Sequence, residues 1–170
     1  IAIGHESATN ITSGDSNIAI GYRALYADLT GSYNHAIGTQ ALYDCNGGNY
    51  NVAFGYEASA NITSGSNNIA IGYRALKTET GSSENVAIGH QALTAQNGGV
   101  GNIGIGYNAG LSNTTADYNV ILGDAAGDAL TTGGRNIVVG KGGLGTATTA
   151  LLNVAIGTSA MELVPADRAI

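Results

Sequence analysis

The chain has 170 residues, a net charge of −6, 11% charged residues, 27 glycines and a single cysteine. Six basic residues provide no patch for nucleic-acid phosphates, and no apolar run approaches the length needed to insert directly into a membrane. Cys45 has no internal disulfide partner, and no secretory signal is visible.

A single unit recurs from end to end. Asn17, Asn34, Asn51, Asn68, Asn85, Asn102, Asn119, Asn136 and Asn153 each stand 17 residues after the last. Four residues after each Asn comes Gly21, Gly38, Gly55, Gly72, Gly89, Gly106, Gly123, Gly140 or Gly157, and Gly4 extends the series backwards. The chain is thus ten units without insertion or deletion, and its register predicts a start in mid-repeat. A fixed period of this length is the signature of a stacked-repeat architecture.

Numbering the Asn as column zero, column one is β-branched in all units but that of His35. Column three is apolar throughout, from Ile3 to Ile156, and column two between them is mostly Ala. Large β-branched residues two apart predict a short strand with columns one and three filling the interior. The Gly after the strand takes a positive φ or meets another backbone too closely for a Cβ. The Asn before it suits a turn, and in-register Asn side chains can form an amide ladder along the axis.

Columns seven and eight, Ala75 and Leu76 in the fifth unit, read as a second short strand. Columns ten to sixteen carry Thr, Ser, Asn, Asp and Gly, which is loop composition. The fold class is therefore all-β, a parallel β-solenoid of ten 17-residue rungs. So thin a roll buries few apolar side chains per rung, and the constant columns two, seven and eight cannot all fit one narrow interior. Ala70, Ala75 and Leu76 are accordingly expected to face other chains. Residues 1–160 form the repeat domain; 161–170 lose the loop pattern, gain the only proline and read as a cap or an exit towards a further domain.

The motif Asn-(Ile/Val)-Ala-Ile-Gly followed three residues on by Ala resembles the head repeat of YadA-like trimeric adhesins and the repeats of many bacteriophage tail fibres. The likeness runs through nearly the whole chain, although its 17-residue rung is closer to the fibre-type form. It implies a left-handed β-roll and a homotrimer. The expected role is then a structural and adhesive segment of an extracellular fibre, on a virion tail or a bacterial surface, contacting an unknown glycan or protein receptor.

Chemistry is sparse. Gly140–Gly145 matches G-x-G-x-x-G, but Gly140 is only the column-four glycine and no helix follows. His5, His35 and His90 do not gather, and Asp117, Asp124 and Asp128 read as solvated loop acids ahead of a calcium site. No enzyme activity, cofactor or metal is expected. Tyr22, Tyr56, Tyr73 and Tyr107 share column five, so Tyr56 and Tyr73 should stack on adjacent rungs, as should Tyr33 and Tyr50 of column sixteen. Such rows stabilise a ladder or contact a receptor, with structure the first reading. Glu57 and Arg74 of column six should pair. The alternative function is an ice- or glycan-binding solenoid module, motivated by a broken Thr row in column twelve that includes Thr63, Thr80, Thr114, Thr131 and Thr148.

Overall fold

The computed structural model describes residues 1–27, 30–78 and 80–163. Ten short strands follow one another: β1 (Ala2–Ile3), β2 (Ile18–Ile20), β3 (His35–Ile37), β4 (Val52–Phe54), β5 (Ile69–Ile71), β6 (Val86–Ile88), β7 (Ile103–Ile105), β8 (Val120–Leu122), β9 (Ile137–Val139) and β10 (Val154–Ile156). Each pairs in parallel with the next, and the sheet order is the chain order. Register is strict: Ala53 lies opposite Ala70, and Ala70 opposite Ala87. The fold is a parallel β-solenoid, with no helix among the described residues.

The strands lie the other way round from the sequence expectation. Column two points inward: Ala19, Ala36, Ala53, Ala70 and Ala87 are fully buried, whereas Ile69 and Ile71 of columns one and three are exposed. The alternation of a strand says that two faces differ, and side-chain size was the wrong guide to which is inside. The interior is so narrow that a large residue on one wall needs a small one opposite. Leu25, Leu42, Leu76 and Leu93 of column eight fill it, together with Ala75 and its column-seven equivalents, and column two has room only for Ala. Ala70, Ala75 and Leu76 therefore pack within their own chain.

Rungs seven and eight reverse the arrangement and prove the rule. There column eight holds Gly110 and Gly127, while column two carries Ile121, which is fully buried. An added Cβ on Gly110 would lie 3.0 Å from the Ile121 Cδ1, and one on Gly127 would lie 3.4 Å from it. Volume has moved from one wall to the other, as close packing requires.

The expected second strand is absent. Columns seven and eight lie in a turn in which Arg74 (φ 54°) and Leu76 (φ 53°) both adopt left-handed backbone, as their equivalents do in other rungs. Extended pairing cannot continue through such residues. Ladder hydrogen bonds nevertheless persist, with Arg74 N–H donating to Tyr56 C=O at 2.9 Å and Leu76 N–H to Ala92 C=O at 3.0 Å. Of the expected terminal segment 161–170, residues 164–170 lie outside the described residues.

Both reasons for the column-four glycine apply together. Gly72 has φ +131°, and a Cβ there would stand 2.3 Å from the Gly89 carbonyl oxygen. The Asn column is an amide ladder buried in the coil. Asn68 Nδ2 donates to Asn51 Oδ1 at 3.1 Å and to Ser82 C=O at 3.0 Å, while its own Oδ1 accepts from Asn85 N–H at 2.9 Å. One side chain thus closes its own rung, start to end, and bonds the rungs on either side.

Candidate functional site

Since the Asn and Gly columns are committed to construction, recognition has to be sought on outward-facing columns. Column five follows the corner glycine in a tight turn, closed by Ala41 N–H donating to Gly38 C=O at 3.3 Å in the third rung. Its side chains leave the coil, and in-register stacking superposes them. Tyr56 and Tyr73 stack with centroids 5.5 Å apart, Tyr73 and His90 at 4.9 Å, and His90 and Tyr107 at 4.9 Å. Four rings thus form one column. Tyr22 stands apart from it, stacked on His5 at 5.7 Å, because Thr39 occupies the rung between Tyr22 and Tyr56. Tyr33 and Tyr50 stack at 4.9 Å with planes 1° apart. Rings stacked face to face along the axis show edges and hydroxyls to solvent, so the inner members offer no open face.

Column six supplies the charges beside this column. Arg74 lies over the Tyr73 ring at 5.0 Å and donates to Glu57 at 2.8 Å. Glu57 also meets Lys77 Nζ at 2.6 Å, with only 14% of its side chain exposed. Burial pushes the Glu57 carboxyl up, but hydrogen bonds from Lys77, Tyr56 and Arg74 outweigh it and leave the group below its ordinary value. The Tyr56 hydroxyl is pushed up, first by its hydrogen bond to Glu57. Lower down, Arg23 pairs with Glu6 and lies 5.1 Å over Tyr22 and 5.2 Å over Tyr26.

A second aromatic pair went unread in the sequence. Tyr26 and Tyr43 of column nine stack at 5.3 Å with planes 10° apart. The same 17-residue spacing was the available signal. Next along column nine comes Ala60 and then Lys77. Beside them opens a cleft of about 280 Å³, lined by Gln40, Tyr43, Glu57, Ala60, Asn61 and Lys77.

The remaining motifs are structural where the geometry describes them. Gly140–Gly145 runs from β9 into a turn. Asp124 pairs with Lys141 at 3.2 Å, and Asp117 accepts from Val100 N–H at 2.7 Å. No group of three or more His, Cys, Asp or Glu among the described residues could hold a metal ion. The column-twelve hydroxyls of Thr63, Thr114 and Thr131 donate to the carbonyl of the next rung, at 2.6, 3.0 and 2.9 Å. They are engaged within the coil and do not stand as a free row for ice. Comparison with known proteins finds no matching family, curated protein or solved structure.

Proposed function

We propose that the chain is a non-enzymatic structural and adhesive segment of an extracellular fibre, on a phage tail or a bacterial surface. Three copies pack along their strand faces and present their outer columns to a host. The observation that carries this reading is the outward ribbon of columns one and three. Phe54 is 53% exposed, Ile71 36% and Ile156 69%, and Val52, Ile69, Ile105, Ile137 and Val154 stand exposed with them. At about 4.8 Å per rung and two side chains across, the ribbon spans roughly 45 Å by 10 Å. A continuous apolar surface of that size marks an interaction site in a soluble protein.

A second copy offers the same straight ribbon at the same pitch, which makes self-association the natural cover. The number three comes from the resemblance to trimeric adhesin and tail-fibre repeats. The corrected orientation makes the reading more economical, since the residues presented to other chains are the large β-branched ones. Light scattering tests it. The expected mass is three times that of the chain, and the double substitution Ile69→Lys with Ile71→Lys should lower it to a folded single coil. A wild-type chain that is monodisperse as a monomer would overturn the proposal.

A further inference from the structure

The column-nine stack is interrupted in a way that leaves a binding notch. Tyr26 covers one face of the Tyr43 ring at 5.3 Å. In strict register the rung on the other side offers only Ala60, and the rung after that offers Lys77. Two rungs separate the Tyr43 ring from the Lys77 side chain, or roughly 9–10 Å at the spacing of parallel strands. A saturated six-membered ring packs on an aromatic face at carbon–carbon contacts of about 3.5–4 Å. The gap therefore admits one such ring and not two.

The rim of the notch is polar and its floor apolar. Gln40 and Asn61 bring one amide each, and Glu57 and Lys77 bring a carboxylate and an ammonium. The Glu57 carboxylate already accepts from Lys77, Arg74 and Tyr56. With about four acceptor positions on a carboxylate, one remains for an incoming hydroxyl. An open aromatic face ringed by amides and a carboxylate is the chemistry that recognises a sugar: the ring C–H face packs on the tyrosine and the hydroxyls meet the rim. Because Glu57 and Lys77 neutralise each other at 2.6 Å, the notch has no spare charge for an acidic sugar. The larger groove, about 440 Å³ and lined by Thr9, Asn10, Ile11, Thr12, Ala27, Asp44 and Asn46, has no aromatic platform.

We propose that this notch binds one neutral pyranose unit, stacked on Tyr43 above Ala60 with its hydroxyls held by Gln40, Asn61 and Glu57. The site rests on the attachment reading for its use, the sugar being part of a surface glycan. The probes are methyl β-D-glucopyranoside, methyl β-D-galactopyranoside and methyl α-D-mannopyranoside, with methyl β-D-glucuronide as the charged comparator. Saturation-transfer NMR on the full chain should show magnetisation reaching the ring C–H protons of at least one neutral glycoside. Ala60→Tyr continues the ring stack through the notch and should keep the wild-type melting temperature while weakening that glycoside more than tenfold. Tyr43→Ala should weaken it similarly.

Absence of binding by every neutral glycoside, preference for the glucuronide, or unchanged binding by Ala60→Tyr would each overturn the site. The two proposals fail separately. A monomer that binds the glycoside removes the trimer and leaves the notch, whereas a trimer that ignores all four probes does the reverse.

Discussion

Replacing Gly72 with Ala adds a single carbon at the point where successive rungs come closest. The new Cβ would lie 2.3 Å from the Gly89 carbonyl oxygen and 2.7 Å from its carbon, both backbone atoms that no rotamer change can move. The φ of +131° adds a conformational cost of its own, in the range of about 1–3 kcal/mol for a residue held in a sparsely populated region. Separating the rungs to relieve the contact strains two ladder hydrogen bonds, Gly72 N–H to Phe54 C=O and Gly89 N–H to Ile71 C=O, each 2.8 Å. At about 1 kcal/mol each, the whole change costs roughly 3–5 kcal/mol. That corresponds to a melting temperature lower by about 10–15 °C for a chain of this size. Thr80→Val is the control. It removes one exposed hydrogen bond, from Thr80 Oγ1 to Asn97 Oδ1, and should cost less than about 1 kcal/mol. Thermal melts followed by circular dichroism compare the two directly. Equal melting temperatures for both variants would refute the account of the corner glycine.

Two further substitutions probe the core and the charge cluster. Ile121→Ala opens space between Gly110 and Gly127 and should cost about 3 kcal/mol, against about 1 kcal/mol for Ile121→Val; equal losses in denaturant melts would show that Ile121 does not fill the wall those glycines vacate. Glu57→Gln should flatten the acid limb of the stability profile. The fold holds the Glu57 carboxyl below its ordinary value, so its contribution is complete above the unfolded pKa of about 4.3 and is lost as pH falls through the lower folded value. Denaturation midpoints between pH 7 and pH 3 should therefore fall more steeply in the wild type, and parallel profiles would sink the reasoning.

What could be read in the sequence was whatever the repeat held constant. Asn68 and Gly72 gave the period, the strand position and the reason for each residue, because only a turn amide and a residue without Cβ satisfy those places in every rung. Superposition of rings followed from shared columns, so the Tyr56–Tyr73 and Tyr33–Tyr50 stacks and the Glu57–Arg74 pair were all accessible. The inside of the coil was not. Ile69 and Ile71 are larger than Ala70, and a globular core would have taken them; a channel already filled by Leu76 takes the methyl group. The false second strand has a backbone cause: nothing in Arg74 or Leu76 announces left-handed φ, which ordinary residues rarely adopt. The notch escaped notice because its signal was a loss, the replacement of an aromatic by Ala60 after Tyr26 and Tyr43.

Column nine shows why such a surface can change its specificity without unmaking the rod. Its occupants are Thr9, Tyr26, Tyr43, Ala60, Lys77, Thr94, Leu111 and Asp128, with little in common. Their backbone is nevertheless held alike. Ala27 N–H donates to Tyr43 C=O at 2.9 Å, Asp44 to Ala60 at 2.9 Å, Asn61 to Lys77 at 3.2 Å and Thr78 to Thr94 at 3.1 Å. Each bond uses main-chain atoms only, so it survives whatever side chain the column carries, while the Asn ladder and corner glycines fix the register beneath it. A substitution in column nine therefore rewrites one notch at a known height on the axis and leaves its neighbours in place. The same freedom is denied to column four, where one methyl group would force two rungs apart, and that contrast separates the columns that build the fibre from those that read a ligand.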